Sequence, residues 1–209
     1  MVPGRFLSLE GGEGAGKSTQ ARALAEALAA RGIHAVVTRE PGGSEGAEAI
    51  RALLMQGEAA RWSAHSEALL FAAARADHVE KVIRPAVGAG EWVICDRFVD
   101  STRAYQGVAG GLEDAAILAL HGFGSRGLLP DRTFLLALPV EEGAARARRR
   151  DGDLEDRFAL KDEHYHAAVA AAFDRLAAQE PERFRRLDAA RPATEITRAI
   201  LDDLADWLG

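Results

Sequence analysis

The 209-residue chain contains no asparagine, which excludes N-linked glycosylation and the Asn-Lys-x-Asp motif that reads guanine in GTPases. It has one cysteine, Cys95, so it can form neither an internal disulfide nor a zinc site built from several cysteines. Its apolar runs, such as residues 134–138, are far shorter than the ~20 residues that cross a bilayer. The start of the chain lacks the pattern of a signal peptide. We therefore expect a cytoplasmic protein without a membrane partner.

The charge of the chain is mildly acidic. Lys and Arg number 26 and Asp and Glu number 32, which gives a formal net charge of −6. General nucleic-acid binders usually carry a basic surplus, so we expect no nucleic-acid partner, although a local basic site is compatible with this composition. The hydrophobic share of 48% is typical of a globular protein, and the length suits one domain over residues 1–209.

Short apolar runs alternate with longer amphipathic segments along the chain. The runs predict β-strands at residues 6–10, 33–38, 92–95, 133–138 and, more weakly, 184–188. The longer segments predict helices at residues 17–31, 44–55, 63–87 (as one helix or two), 101–106, 112–125, 141–150, 161–178 and 194–208. This alternation predicts an α/β fold with a mostly parallel sheet between two layers of helices. Ligands of such sheets bind at the carboxyl ends of the strands.

Residues 11–18, Gly-Gly-Glu-Gly-Ala-Gly-Lys-Ser, match the phosphate-loop pattern G-x-x-x-x-G-K-[ST] between a predicted strand and a predicted helix. Glycines let backbone N–H groups converge on an anion, and the helix start adds unpaired amides. Lys17 would place a cation on the outer phosphates, and the Ser18 hydroxyl suits Mg²⁺. The pattern predicts a P-loop three-layer sandwich and a nucleoside triphosphate site formed by Gly11, Gly12, Glu13, Gly14, Ala15, Gly16, Lys17, Ser18 and Thr19.

Three charged residues near this loop suggest further chemistry. Glu13 would repel phosphates, so we expect it to accept a hydrogen bond from a hydroxyl of a second substrate or to hold a metal-bound water. Asp96 closes a predicted strand within reach of the Mg²⁺ shell or a water. Arg97 beside it would bridge donor and acceptor phosphates, or the two residues would form only a structural salt bridge. Thr19 is better explained as a hydroxyl of the helix cap than as a catalytic group.

Two further segments suggest that the second substrate is anionic and planar. Arg39, in the segment Thr-Arg-Glu-Pro-Gly-Gly at residues 38–43, and Arg51 on the next helix are candidate anion contacts or solvated surface residues. Phe71 and Arg75 share one helix face and offer an aromatic plane beside a guanidinium fork, which suits a flat heterocycle. A core phenylalanine and a surface arginine would give the same pattern.

A polar helix and an arginine-rich segment complete the candidate site. Thr102 and Gln106 share a helix face, and Ser101 and Tyr105 share the neighbouring one. The Gln106 amide fits the imide edge of a pyrimidine, whereas a polar helix cap is the alternative. Residues 146–158 predict a lid that brings an arginine to the transferring phosphoryl group, unless this segment is a self-paired charged surface.

Five motifs in this order resemble those of the bacterial thymidylate kinases (dTMP kinases): residues 11–18, 38–43, 70–75, 96–98 and 101–107. The resemblance runs from residue 6 to about residue 188. It implies direct in-line transfer of the γ-phosphoryl group of ATP to dTMP with Mg²⁺, a core of about five parallel strands, and a homodimer. Phe98 departs from the family pattern, since many relatives carry Tyr or His there.

The resemblance also implies roles for individual residues at the thymidine end of the site. By matched position, Phe71 would stack on thymine and Arg75 would meet its O4. Thr102 and Gln106 would approach the base edge, and Ser101 is counted with them as a substrate contact. The sugar would lie near two side chains, Glu13 at the 3′-hydroxyl and Tyr105 at the 2′ carbon.

At the phosphate end, the resemblance assigns the acceptor phosphate to Arg39, Arg51 and Arg97. The catalytic set that it implies is Lys17, Asp96, Arg97, Arg149, Arg150 and Arg157. The phosphate loop itself lacks arginine, so the catalytic arginine is expected in the lid, where the last three of these compete for the role.

Two other functions fit parts of the pattern. Another nucleoside monophosphate kinase, for UMP or CMP, would share the phosphate loop and the acceptor site. A P-loop switch ATPase would share the loop alone, but such proteins often carry an extra lysine early in it, where residues 10–13 here are Glu-Gly-Gly-Glu.

Overall fold

The computed structural model describes residues 4–58, 60–151, 158 and 161–208. Within these residues five strands form one parallel sheet in the order β2-β3-β1-β4-β5. The strands are β1 (Phe6–Glu10), β2 (Ala35–Arg39), β3 (Trp92–Asp96), β4 (Arg132–Ala137) and β5 (Phe184–Asp188). The predicted α/β fold with a five-stranded parallel sheet is therefore confirmed.

Helices connect the strands and cover the sheet. The α-helices described are α1 (Lys17–Ala29), α2 (Glu45–Met55), α3 (Ala64–His78), α4 (Arg84–Gly88), α5 (Val99–Thr102), α6 (Asp114–Ser125), α7 (Val140–Asp151), α8 (Glu163–Gln179), α9 (Ala193–Asp203) and α10 (Ala205–Leu208). Two segments are π-helical, π1 (Val79–Ile83) between α3 and α4, and π2 (Arg103–Val108) after α5. No helix in the described ranges combines the length and the apolar character needed to cross a membrane.

Several predicted boundaries are shifted for local reasons. The second strand begins at Ala35 rather than residue 33, because Gly32 adopts a φ of 76° and the N–H of Ile33 bonds back to the Leu28 carbonyl at 3.0 Å. These contacts belong to the C-terminal cap of the preceding helix. Helix α8 begins at Glu163 rather than residue 161, because the Asp162 carboxylate accepts the N–H of Tyr165 at 2.8 Å as an N-cap.

The three central strands β1, β3 and β4 are buried on both faces of the sheet. Leu7 and Leu9 of β1 belong to a core cluster with Leu24 of α1 and Ile200 of α9. Phe6, whose side chain alternates with theirs, belongs to a cluster that includes residues of π1 and α6. Burial on both sides explains why these central strands are mostly apolar in sequence, whereas the edge strands β2 and β5 also carry exposed residues.

The sheet order places the ends of three strands side by side. Leu9 of β1 and Arg39 of β2 are both register partners of Asp96 at the end of β3. The segments that follow β1, β2 and β3 therefore leave the sheet at one edge, and they include the phosphate loop and the predicted substrate residues.

Candidate functional site

A cleft of about 430 Å³ lies at this edge of the sheet. It is lined by all ten residues predicted to contact the second substrate: Glu13, Arg39, Arg51, Phe71, Arg75, Arg97, Ser101, Thr102, Tyr105 and Gln106. The part of the phosphate loop that lines the same cleft is Glu13, Gly14, Gly16, Lys17, Ser18 and Thr19. Residues from all five of the motifs, together with Arg51 of the helix after residue 43, thus meet in one space.

The cleft is locally basic although the chain is acidic. Its cationic side chains are Lys17, Arg22, Arg39, Arg51, Arg75 and Arg97, against the carboxylates Glu13, Glu40 and Asp96. A basic concave surface attracts phosphorylated ligands. Arg22 was not among the predicted site residues, although it lies four residues after Ser18 on α1 and therefore on the same helix face.

The phosphate loop holds Lys17 at the start of α1. Gly14 and Gly16 adopt φ values of 66° and 91°, which glycine reaches without steric cost. Lys17 is only 6% exposed, and its Nζ donates to the carbonyls of Gly11 at 3.2 Å and Gly12 at 2.8 Å. Burial, and then the nearby Arg97 charge, lower the pKa of Lys17 to about 8. Phosphate oxygens beside Lys17 would stabilise the charged form of its ammonium group.

Ser18 and Asp96, predicted as metal ligands, are in direct contact. The Ser18 hydroxyl donates a hydrogen bond to the Asp96 carboxylate. Both offer hard oxygen atoms, which is the donor type that Mg²⁺ prefers. The described residues contain no group of three or more His, Cys, Asp or Glu that could hold a metal. Mg²⁺ commonly takes one or two protein oxygens and completes its shell with water and substrate phosphates, so the Ser18 hydroxyl and the Asp96 carboxylate could serve as its protein ligands.

Arg97 links the phosphate loop to the turn after β3. Its Nη2 donates to Glu13 Oε1 at 2.7 Å, and its Nη1 donates to the Gly11 carbonyl at 3.0 Å and to Ser101 Oγ at 3.1 Å. Its φ of 71° is left-handed, which costs a non-glycine residue on the order of 1 kcal/mol. Arg97 therefore forms an ion pair, which was the alternative prediction for this residue, but its partner is Glu13 rather than Asp96.

Glu10, which was not among the predicted site residues, holds the turn after β3 from the end of β1. The carboxylate is fully buried and accepts the N–H of Phe98 at 2.7 Å and the hydroxyl of Ser101 at 2.6 Å. Burial, and then the charge of Asp100, raise the pKa of Glu10 to about 8. The available signal was a carboxylate at the end of an apolar strand, directly before the phosphate loop.

Phe71 and Arg75 line the other end of the cleft. Phe71 packs against Phe158, with ring centroids 5.9 Å apart. Arg75 is 2% exposed, and its Nε donates to Glu40 Oε2 at 2.7 Å while Nη2 donates to Thr102 Oγ1 at 2.8 Å. The alternative interpretation of Arg75 as a surface residue is therefore wrong. Phe158 and Glu40 were not among the predicted site residues.

The polar residues of π2 already have protein partners. Gln106 is buried, and its Nε2 donates to Glu67 Oε2 at 3.1 Å. The Tyr105 hydroxyl donates to Glu13 Oε1 at 3.4 Å, and burial raises the pKa of this phenol. A buried tyrosine hydroxyl that remains protonated offers a donor and an acceptor to a neighbouring group.

Two of the three arginines assigned to the acceptor phosphate, Arg39 and Arg51, lie on the rim contributed by β2 and α2. Arg39 Nη2 reaches both carboxylate oxygens of Glu48, at 2.9 and 3.1 Å. Arg51 Nη1 donates to the Pro41 carbonyl at 2.8 Å. Arg39 remains 52% exposed despite its ion pair, so its side chain is open to an anion from solvent.

Some predicted residues lie elsewhere. Gly11 and Gly12 line a second cavity of about 770 Å³, which also borders α7 and α8. Ala15 is 2% exposed and belongs to the core beneath the loop. Arg149 is exposed on α7, donates its Nε to the Ala145 carbonyl at 3.2 Å, and lines neither cavity.

The predicted lid falls largely outside the described residues. Residues 146–151 continue α7, and residue 158 is described, but Arg157 and the side chain of Arg150 are not. The stem of this segment is packed on the phosphate loop, because a Cβ at Gly14 would overlap the Gly143 carbonyl of α7.

Comparisons with known proteins show the family to which the chain belongs. The family model described as thymidylate kinase matches residues 9–200. The chain is 59% identical to a thymidylate kinase of Rhizorhabdus wittichii over 207 residues, covering 99% of this chain and all of that protein. It is 49% identical to a thymidylate kinase of Caulobacter vibrioides over the full length of both. A crystal structure of thymidylate kinase from Ehrlichia chaffeensis superposes with a TM-score of 0.77 at 30% identity, covering 97% of this chain and 99% of that one. The chain belongs to the thymidylate kinase family.

Proposed function

We propose that the 430 Å³ cleft holds dTMP with its phosphate beside the phosphate loop, where ATP places its γ-phosphate. The protein is an enzyme of the thymidylate kinase family and transfers the γ-phosphoryl group of ATP to dTMP, which gives dTDP and ADP. The proposal rests on one observation: Lys17 and Ser18 of the phosphate loop line the same basic cleft as every residue predicted to contact the acceptor.

At the thymine end, Phe71 is the platform and Arg75 the polar anchor. The Phe71 ring lines the cleft and is braced by Phe158, so one of its faces can receive a planar base. Thr102 and Gln106 line the same region and offer polar atoms to the base edge. Tyr105 and Glu13 stand between this end and the loop, which is where a deoxyribose would lie.

At the phosphate end, charge neutralisation and positioning perform the reaction. The acceptor phosphate is already nucleophilic, so no strong base and no covalent enzyme intermediate are required. Arg97 reaches from Ser101 to the Gly11 carbonyl and so stands where donor and acceptor phosphates would meet. Lys17 supplies a second cation from the loop, and Arg39 and Arg51 supply further charge from the opposite rim. An arginine of the lid, Arg149, Arg150 or Arg157, would add to this set.

Ser18 and Asp96 are the residues that would hold Mg²⁺ with the nucleotide. The ion would neutralise charge on the donor phosphates, as it does in other phosphoryl-transfer enzymes. Asp96 keeps Ser18 oriented through their hydrogen bond at the start of α1, where the triphosphate would arrive.

The test of the thymine site is Phe71→Ala. Loss of the platform removes about 2 kcal/mol of burial and stacking, so we expect KM for dTMP to rise about 30-fold and KM for ATP to change little. Leu129→Ala, at an exposed apolar residue outside the cleft, is the matched control. Equal increases in both KM values would contradict the assignment of Phe71 to the base.

The alternative acceptors UMP and CMP are tested by the same assay. The similarity of the whole chain to thymidylate kinases favours dTMP over both of them and over a switch ATPase. A kinase releases ADP only when an acceptor is present, and this enzyme is expected to prefer dTMP. A preference for ribonucleotides, or ADP release without any acceptor, would refute the proposal.

We also propose that two copies of the chain associate through α6. Between Asp114 and Arg126 this helix has no charged residue, and its Leu118 and Phe123 are 38% and 93% exposed. Gly124 packs on α3, where Leu69 is 57% exposed, so the apolar surface extends across both helices. We assign this apolar surface as the interface of the homodimer that the sequence resemblance implies.

Sedimentation analysis tests the dimer. The wild type should sediment as two chains and Phe123→Glu as one, because a buried unpaired carboxylate opposes association. Val37→Glu, at an equally apolar but distant position on the edge strand β2, should leave the dimer intact. A monomeric wild type would refute the assignment.

The remaining proposals concern the chain as a whole. We propose a single domain, because strands from residue 6 to residue 188 share one sheet. We propose the cytoplasm as the location, because ATP is its substrate and its one cysteine, Cys95, is a buried free thiol.

A further inference from the structure

A chain of buried polar groups runs behind Arg75 and away from the cleft. Glu40 Oε2 accepts from Arg75 Nε at 2.7 Å, and Glu40 Oε1 lies 3.0 Å from His78 Nδ1. His78 Nε2 lies 2.8 Å from the hydroxyl of Thr38. His78 is fully buried and does not line the cleft, so it is not placed to touch a ligand there.

The hydrogen bonds of Arg75 define which of its nitrogens is left for a ligand. The guanidinium has five N–H donors in one plane. Nε is used by Glu40, and Nη2 is used by Thr102 Oγ1 at 2.8 Å and by the Phe98 carbonyl at 3.4 Å. Within the described part of the chain, Nη1 donates to no protein group. Because the group is planar, fixing Nε and Nη2 also fixes the direction of Nη1.

Glu40 can fix Nε only if its own carboxylate is held. Each of its oxygens has one side-chain partner, Arg75 on one side and His78 on the other. The carboxylate only accepts hydrogen bonds, so the His78 contact requires a proton on Nδ1, and Nε2 is then free to accept from Thr38. Without the imidazole, the Glu40 carboxylate could rotate away from the plane that Arg75 needs.

The turn at residues 38–43 packs closely around this imidazole. Gly43 has a φ of 87°, and a Cβ there would overlap both His78 Nε2 and Thr38 Oγ1. A buried histidine with two polar partners is costly to keep unless its hydrogen bonds contribute, since an apolar side chain could fill the same space. The contribution that the geometry offers is the orientation of Glu40 and, through it, of Arg75.

We propose that His78 is a positioning residue for base recognition, which holds Glu40 so that Arg75 presents Nη1 to an oxygen at the 4-position of the pyrimidine. This inference rests on the proposed function, since it takes the cleft as the dTMP site. Cytosine carries an amino group at that position, and a donor meeting a donor loses the hydrogen bond. His78 therefore contributes to the preference for dTMP over dCMP without touching either nucleotide.

Three substitutions at one position separate positioning from packing. His78→Asn keeps an N–H donor close to the place of Nδ1, facing Glu40. His78→Gln moves the amide outward, toward the place of Nε2 and Thr38. His78→Leu removes both polar atoms. Thr38→Val removes the outer hydrogen bond and leaves the His78–Glu40 contact in place.

The measurement is the ratio of kcat/KM for dTMP to that for dCMP, with melting temperature recorded for each variant. We expect His78→Leu and His78→Gln to lower the ratio roughly tenfold, mainly through a higher KM for dTMP, because one oriented hydrogen bond is lost. His78→Asn and Thr38→Val should stay within about threefold of the wild type. If His78→Leu does not fold, the comparison of Asn with Gln decides.

Two results would overturn the inference. The first is an unchanged ratio in His78→Leu and His78→Gln, with only the melting temperature lowered, which would make the residue merely structural. The second is equal behaviour of Asn and Gln. In both cases dTMP phosphorylation by the wild type would stand. A wild type without preference for dTMP over dCMP would also overturn the inference, and one that does not phosphorylate dTMP would refute the proposed function with it.

Discussion

Lys17 should make the binding of ATP strongly dependent on pH. Burial and the nearby Arg97 charge lower the pKa of Lys17 from 10.5 to about 8. ATP brings phosphate oxygens to the ammonium group and favours its charged form, so binding should raise this pKa again. Binding must then take up a proton whenever Lys17 is neutral beforehand.

The magnitude follows from the lowered pKa. A full return to the ordinary value spans about 2.5 units, or about 3.4 kcal/mol at 1.36 kcal/mol per unit. The affinity for ATP should therefore be nearly constant below pH 7. It should fall by up to tenfold for each pH unit above 8, to a limit of about 300-fold. At pH 9, about 0.9 proton should be taken up per ATP bound.

Isothermal titration calorimetry in two buffers of different ionisation enthalpy measures this proton uptake directly. The experiment compares the wild type with Lys17→Met at pH 7 and pH 9, with Mg²⁺ constant. We expect uptake in the wild type at pH 9 and none in the variant, which also should bind ATP more weakly at pH 7. Equal proton uptake by both proteins at pH 9, or an ATP affinity that does not change above pH 8, would show that the charge of Lys17 does not control ATP binding.

Two further predictions concern Glu10 and Ser18. The pKa of Glu10 is raised from 4.5 to about 8 by burial and Asp100, so between these values the folded protein holds a proton that the unfolded chain releases. The free energy of unfolding should therefore fall as pH rises from about 5 to 8, and Glu10 should contribute at most about 1.4 kcal/mol per pH unit to this fall. Glu10→Gln should remove that contribution when unfolding by urea is measured across this pH range. Equal pH slopes for the wild type and the variant would contradict the raised pKa of Glu10. Ser18→Ala should raise the Mg²⁺ concentration needed for half-maximal activity several-fold, because one hard oxygen is lost; an unchanged Mg²⁺ titration would exclude the hydroxyl from the metal site.

The fold was predictable because the hydrophobic periodicity of each segment and the turn and cap residues at its ends agree along most of the chain. Phe184–Asp188 was predicted with the bounds that β5 has, and the phosphate loop stands between β1 and α1 as its motif requires. The two π-helical segments were not predictable from periodicity. They depend on how the extended helical turns pack against neighbouring elements, and their residues lack a separate signal in the sequence.

The candidate site was predictable to the extent that its residues follow the ends of parallel strands. Parallel pairing brings such ends to one edge, so Arg97 and the phosphate loop could be placed together before any coordinates. The supporting contacts could not. Glu10 bonds to Phe98, 88 residues away, and Glu40 bonds to His78, 38 residues away. Such partners depend on how helices and strands pack against one another. The hydrophobic pattern of the sequence carries little information about that packing.

A crystal structure of the protein with dTMP and an unreactive ATP analogue would show directly whether dTMP binds in the 430 Å³ cleft. We expect thymine to lie against Phe71, with its O4 facing Arg75. We also expect the dTMP phosphate to lie between Arg97 and the phosphate loop, facing the γ-phosphate of the analogue. A dTMP molecule found outside the 430 Å³ cleft, or bound there with its base toward the phosphate loop, would contradict the proposed site.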